Sequence, residues 1–226
     1  MIHLKTNLDL KPLLLVPVLA LLALPLVGSF DTWLTLSVAG LAMGMIIFIM
    51  ASGLTLVFGL MDVLNFGHGV FIALGAFVAT SVLSGMVDWT QSQELWRNLV
   101  AVGSAMLVAM IASAVIGLAF ERFIVRPVYG QHLKQILITM GGMIIGEEII
   151  KVIWGPLQIA LPLPEAMRGS LLWGDASLEK YRLMAVVVGL IVFALQAWTL
   201  SQTKVGLLIR AGVQDREMVE ALGYKI

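Results

Sequence analysis

Residues 34–87 read LTLSVAGLAMGMIIFIMASGLTLVFGLMDVLNFGHGVFIALGAFVATSVLSGMV, and this stretch decides the class of fold. Only Asp62 and His68 carry ionisable side chains in it. A helix that crosses a bilayer needs about 20 apolar residues, so the stretch is long enough for two such helices. Polar residues and two glycines interrupt it at residues 61–69, MDVLNFGHG, which we call the polar junction. The sequence therefore predicts two membrane helices joined at this junction.

The composition of the whole chain supports the same class. Hydrophobic residues make up 60% of the chain and charged residues 12%, against about a half and a quarter in soluble proteins. The formal net charge is zero, so no basic surface indicates nucleic acid as a partner. The chain has no cysteine, and His3, His68 and His132 lie far apart, so we expect neither a metal site nor a cofactor. The composition predicts an integral membrane protein with lipids around it.

Six apolar segments of about 18 to 28 residues predict an all-α, polytopic membrane helical bundle. The first could instead be a secretory signal peptide, but its apolar part is long and lacks a clear cleavage site, so a retained helix is expected. We treat residues 1–226 as a single transmembrane domain, with residues 201–226 as a polar segment after the last span. The predicted spans are Pro12–Phe30, Leu34–Leu60, Phe66–Val87, Asn98–Phe120, Gln135–Trp154 and Leu183–Leu200.

The distribution of lysine and arginine predicts the orientation, because cytoplasmic loops carry an excess of both. With the N-terminus inside, nine of the fourteen lysine and arginine residues lie on the cytoplasmic side, four lie outside and Lys151 lies within a span. Both termini of the chain and the polar junction are then cytoplasmic. The long outer connection from Gly155 to Arg182 has room for a short interfacial or re-entrant helix.

Three ionisable residues lie within the fifth predicted span: Glu147, Glu148 and Lys151. Charges at membrane depth are costly and are candidates for function. Glu147 and Lys151 are spaced i,i+4 and are expected to pair, whereas Glu148 needs another partner. The pattern leaves open a structural pair that reaches the outer boundary, the lining of a polar pathway, and a contact between subunits.

The segment after the last span predicts a short helix from Gln214 to Leu222. Asp215 and Glu217 suit its first turn, and Gly223 suits the position after its end. Such a helix could dock in a groove of a soluble partner or remain a solvated amphipathic tail.

Two of these motifs resemble one known family. Gly53-Leu-Thr-Leu-Val-Phe-Gly and Asn65-Phe-Gly-His-Gly69, followed by Leu74-Gly-Ala, are similar to the membrane permeases of branched-chain amino-acid ABC importers, the LivH type. The last segment resembles that family's final cytoplasmic loop at Gly206, Ile209-Arg-Ala211, Gln214-Asp-Arg-Glu217 and Leu222-Gly223. It matches the Glu-Ala-Ala-x-x-x-Gly coupling motif only in part, because Met218 and Val219 replace the two alanines.

The resemblance implies a transport subunit of the bacterial inner membrane that translocates branched-chain amino acids or a related small polar solute and performs no catalysis. It implies three kinds of protein partner: cytoplasmic ABC ATPase subunits, a second homologous permease subunit and a periplasmic solute-binding protein. The residues expected to couple to the ATPase are Arg210, Gln214, Asp215, Arg216, Glu217 and Gly223. Those expected at the helix junction or a solute pathway are Asn65, Gly67, His68, Gly69, Glu147 and Glu148.

Two departures from the family pattern stand out. The family continues for further spans past the coupling loop, so the chain is expected to be truncated at its C-terminus. Glu147 and Glu148 stand where family members usually have uncharged polar residues.

Three other functions are compatible with parts of the sequence. A proton-coupled secondary transporter would use Glu147 and Glu148, although no inverted repeat is visible. An intramembrane serine protease would use Ser52 and His68, but the usual Gly-x-Ser-Gly pattern fails at Met50. A membrane scaffold would use none of these residues. The chain also has no phosphate-binding loop motif, so an importer would bind ATP on another subunit.

Overall fold

The computed structural model describes residues 11–61, 65–214, 216–221 and 223, and most of them are helical. A π-helical turn, Glu121–Val125, and a 3-10 turn, Arg126–Val128, directly follow the long helix that ends at Phe120. The helices are α1 (Lys11–Val27), α2 (Phe30–Met61), α3 (His68–Gly85), α4 (Val87–Thr90), α5 (Leu95–Phe120), α6 (His132–Trp154), α7 (Lys180–Gln202), α8 (Lys204–Gln214) and α9 (Arg216–Ala221); the strands are β1 (Ser170–Trp173) and β2 (Ala176–Glu179).

Each of the six predicted spans is a helix in the structure, which confirms the all-α membrane class. Among the described residues, four segments are long and apolar enough to cross a membrane; they lie in α2, in α3, in α5 with the turns that continue it, and in α7. The apolar part of α1, Leu14–Val27, is shorter. The 23 residues of α6 have the length of a span, but this helix also carries Glu147, Glu148 and Lys151.

Contacts between residues divide the chain into two compact units. The first comprises residues 1–49 and 169–226, and the second comprises Met50–Arg168. Helix α2 is continuous across the boundary. The single permease domain over residues 1–226 stays a prediction.

In the second unit, α3 and α5 pack through small side chains. Leu83, Ala101 and Ala105 form a buried cluster, and Ala109 is also buried. One turn beyond Ala109, the Ser113 hydroxyl donates to the carbonyl of Phe71, with 3.4 Å between the oxygens. Small residues let the backbones of membrane helices approach closely. These small residues, which recur every fourth position of α5 from Ala101 to Ser113, therefore pack within the chain.

In the first unit, α7 packs against the first half of α2. A Cβ on Gly189 would lie 2.5 Å from the Cβ of Met45, so only glycine fits at this crossing. The rings of Phe48 and Phe193 meet edge to face, with 5.5 Å between centroids. The indole of Trp33 donates to the carbonyl of Ala20 at 2.6 Å and thereby joins α2 to α1.

The connection from Gly155 to Arg182 contains a β-hairpin, where the sequence had left room for a short interfacial or re-entrant helix. The antiparallel strands β1 and β2 pair from Ser170 with Glu179 to Trp173 with Ala176. Between Gly155 and Glu179, where every residue is described, the one helical piece is a 3-10 turn, Glu165–Met167. The hairpin forms because Gly174 and Asp175 provide a tight turn between two short runs of extended residues.

Candidate functional site

The polar junction begins α3 with a turn built on Asn65. The side-chain oxygen of Asn65 accepts from the backbone amide of Gly67 at 3.0 Å, and its backbone carbonyl accepts from the amide of His68 at 3.2 Å. An Asn side chain that bonds two residues ahead forces the chain to turn. Asn65 thus sets the direction in which α3 leaves the junction. Asp62, Val63 and Leu64 lie outside the described residues.

His68 connects the start of α3 to α2. Its Nε2 atom lies 3.2 Å from the carbonyl oxygen of Met50, and this bond requires the tautomer protonated at Nε2. The imidazole also lies against Gly53, where a Cβ would be 3.3 Å from His68 Cε1. Gly53 belongs to the Gly-Leu-Thr-Leu motif, so the structure brings the two halves of that long motif into direct contact.

The two glycines of the junction have different surroundings. Gly67 is buried, and a Cβ on it would lie 3.6 Å from the carbonyl oxygen of Thr139 on α6. Gly69 is exposed, with no atom within 4 Å of the place a Cβ would take. The junction therefore has close contact with α6 through Gly67, and Gly69 plays no such part.

The charges of α6 pair differently from the prediction. Lys151 Nζ lies 2.6 Å from Glu148 Oε1, so the ion pair is i,i+3 and involves Glu148 instead of Glu147. Both i,i+3 and i,i+4 neighbours can meet on a helix, and the spacing alone did not distinguish them. The side chains of Lys151 and Glu148 remain 50% and 62% exposed. A paired charge on an uncovered face of a span is suited to contact with another protein surface or with water, and not with lipid.

The six residues predicted at the junction or a pathway do not form one site. Asn65, Gly67 and His68 meet near Thr139 of α6. Glu147 follows Thr139 by eight residues, which is ~12 Å along a helix. The glutamates and the junction are therefore two separate features of the second unit.

The C-terminal segment leaves α7 through a bend at Thr203, and Gly206 in the first turn of α8 packs against the end of α7. A Cβ on Gly206 would collide with the backbone carbonyls of Thr199 and Leu200, and the Thr203 hydroxyl accepts from the Gly206 amide at 3.1 Å. The chain then forms α8, which the sequence analysis missed. The signal for it was Thr203, a residue suited to a helix N-terminus, followed by Leu207, Leu208 and Arg210.

The residues predicted to contact an ATPase lie on or near α8 and α9. Arg210 and Gln214 are exposed on α8, and Gly223 has a φ of 87°, as expected just past a helix end. On α9, Val219 is buried while Met218 is 63% exposed. Asp215 lies outside the described residues, as do the side chains of Arg216 and Glu217.

A bundle of long apolar helices, with a hydrogen-bonded junction and two short helices after the last span, defines a multi-pass membrane protein. In the described part of the chain no three His, Asp or Glu residues are grouped as a metal site would require. Within this class the chain belongs to the family described as "branched-chain amino acid transport system / permease component", which it matches over residues 36–226.

Characterised relatives agree with this membership. The chain is 28% identical over 200 residues to the high-affinity branched-chain amino acid transport system permease protein BraD of Pseudomonas aeruginosa, covering 82% of this chain and 61% of that protein. It is 25% identical over 192 residues to LivH of Salmonella typhimurium, covering 81% of this chain and 60% of the relative. It thus spans about 60% of the length of such relatives. No solved structure matches the chain.

Proposed function

We propose that the chain belongs to the permease of an ATP-binding-cassette importer, which moves branched-chain amino acids or a related small polar solute across the bacterial inner membrane. The observation that carries this proposal is the pair α8–α9, which follows α7 through a bend at Thr203 and packs against its end at Gly206. Two short helices held at the end of a span can dock on a soluble protein and pass its movement to the membrane helices.

The contact between Gly206 and α7 supports this transmission of movement. The glycine packs against the carbonyls of Thr199 and Leu200, so α8 and the end of α7 are in direct backbone contact. Arg210 and Gln214 project from α8 where a partner could reach them. We infer that they bind a cytoplasmic ATPase together with Asp215, Arg216, Glu217 and Gly223. ATP binding and hydrolysis would then move α7 through α8.

The same proposal assigns the other partners and the orientation. Both termini of this chain would face the cytoplasm, a second homologous permease would complete the solute pathway, and a periplasmic binding protein would deliver the solute. The junction would brace α2, α3 and α6, because His68 bonds to Met50 and Gly67 lies against Thr139.

The importer is preferred over a proton-coupled transporter for a structural reason. A secondary transporter would use both glutamates, whereas Glu148 is engaged by Lys151 at 2.6 Å in an ion pair on its own helix. The charged face of α6 fits better as an inter-subunit contact or as part of the polar pathway.

The experiment that tests the proposal uses charge reversal with a matched control. The protein is reconstituted with its ATPases, binding protein and second permease, and uptake of radiolabelled leucine is compared with that of urea. Glu217→Lys should abolish both uptake and the stimulation of ATPase activity by loaded binding protein. Asp88→Lys, at an exposed position on α4, should change neither.

Two outcomes would contradict the proposal. Normal coupling in Glu217→Lys would remove the assignment of α9 to the ATPase. Leucine uptake that depends on a proton gradient and not on ATP would favour the secondary transporter.

A further inference from the structure

The β-hairpin that precedes α7 exposes large apolar side chains on its first strand. Leu172 is 77% exposed and Trp173 is 75% exposed. As neighbours in one strand they point to opposite faces of the sheet. Ala176, which pairs with Trp173, is fully buried, so the hairpin is packed on its unit while β1 stays uncovered on both faces.

The hairpin belongs to the first unit, in which α2 and α7 run parallel. Gly189 of α7 lies against Met45 of α2, and further along the chain Phe193 of α7 meets Phe48 of α2. The residue numbers of both helices rise together at these contacts. Because both helices are membrane spans, both begin at the same side of the membrane.

The hairpin bridges the starts of these two helices. Its second strand leads directly into Lys180, the first residue of α7, and its turn residue Gly174 has the place of a Cβ 3.4 Å from Asp31 Oδ1 in the first turn of α2. Asp31 precedes Met45 by fourteen residues, ~21 Å of helix, and Lys180 precedes Gly189 by nine, ~14 Å. The hairpin therefore occupies a layer ~7 Å deep, between the start of α7 and the start of α2.

That layer has the thickness and composition of a lipid head-group region. A bilayer of about 40–45 Å contains about 30 Å of hydrocarbon, which leaves roughly 5–7 Å on each side. The apolar run of α7 begins at Leu183, just after the charged and aromatic residues Lys180–Arg182. Exposed aromatic residues begin both helices, Phe30 in α2 and Tyr181 in α7, and tryptophan and tyrosine are typical of this membrane level.

We propose that the hairpin is a membrane-interface anchor, in which Leu172 and Trp173 insert among the lipid head groups where α2 and α7 begin. Trp173 suits this level because its ring is apolar and its indole N–H can donate to a lipid ester or phosphate oxygen. A protein docked on the sheet would cover one face, whereas lipid molecules can cover both faces of β1. The open edges of a two-stranded sheet need water, so the hairpin stays in the head-group layer and does not enter the hydrocarbon. The leaflet alone rests on the proposed function, whose orientation makes it the outer one.

The test measures depth with a spin label on the full chain, reconstituted in phospholipid bilayers. The chain has no cysteine, so Leu172→Cys carries a single nitroxide, and Gln93→Cys, at an exposed position in a polar loop, is the control. The nitroxide at 172 should be reached better by oxygen, which dissolves in lipid, than by a water-soluble nickel chelate. At 93 the order should be reversed. This readout is independent of transport, so a failure of the importer proposal would leave it unchanged.

A change at Trp173 tests the anchor itself. With the nitroxide at 172, Trp173→Ala should raise access of the nickel chelate to the level found at residue 93, whereas Trp173→Phe, which keeps an apolar ring, should remain close to the unmodified chain. Better access of nickel than of oxygen to residue 172 in the otherwise unmodified chain would overturn the proposal, and so would an unchanged depth in the alanine variant. A label at 172 that is wet in the bilayer but becomes shielded by added solute-binding protein would show a protein-docking surface instead.

Discussion

His68 stands against Gly53, and this contact joins the two halves of the chain's most distinctive motif. The imidazole fits because Gly53 has no side chain; a Cβ there would lie 3.3 Å from His68 Cε1. From this position Nε2 reaches the carbonyl of Met50 at 3.2 Å. Glycine at position 53 therefore leaves the space that His68 needs to bond to the Met50 carbonyl of α2.

A larger side chain at position 53 should break this brace. In Gly53→Val the branched side chain displaces the imidazole and removes its hydrogen bond to Met50. The expected loss is about 1–3 kcal/mol of unfolding free energy, from overpacking and from the lost bond. Thermal unfolding in detergent measures it.

The control for Gly53→Val is Gly40→Val on the same helix. Position 40 has no atom within 4 Å of an added Cβ, so valine there should leave the melting temperature nearly unchanged. Equal melting temperatures for the two variants would show that the His68 contact contributes nothing to stability.

The crossing of α2 and α7 gives a second prediction, in the other unit. Gly189→Ala would place a Cβ 2.5 Å from Met45 Cβ and should cost about 1–3 kcal/mol. Gly44→Ala is the control, because its Cβ would meet nothing within 4 Å. A denaturation series of both variants checks the difference, and a loss of equal size at position 44 would contradict the packing argument.

The apolar runs predicted the helices well because a membrane span must satisfy its backbone hydrogen bonds internally. The sequence was a poorer guide to individual side-chain contacts and to the short helix α8. Lys151 pairs with Glu148 and not with Glu147. Both spacings bring side chains together on a helix, so the side-chain rotamers decide which pair forms. The α8 helix was missed because Gly206 and Gly212 reduce its helix propensity, and contact with α7 compensates for that. The Gly53–His68 contact joins residues from different helices, which no local pattern reveals.

The ion pair of α6 leads to a third prediction. Removal of Glu148 breaks the ion pair that Lys151 makes in the structure, so Glu148→Gln should lower the melting temperature more than Glu147→Gln does. The double variant Glu148→Leu with Lys151→Met should recover most of the loss, because it removes both members of the ion pair and leaves neither without its partner. A double-mutant cycle on melting temperatures measures the coupling. Equal effects of the two glutamine variants would show that both glutamates are equivalent partners of Lys151.

The turn between α7 and α8 gives the last prediction. Gly206→Ala forces a Cβ into the carbonyls of Thr199 and Leu200, so α8 must move relative to α7. If α8 passes movement from an ATPase to the membrane helices, leucine uptake should fall by about tenfold, a coupling loss of about 1.4 kcal/mol.

Leu207→Ala, at a neighbouring exposed position, is the control and should transport normally. Both variants should assemble with the ATPase, as measured by co-purification, because the substitutions lie away from Arg210 and Gln214. Unchanged uptake in the Gly206 variant would mean that movement does not pass through this turn.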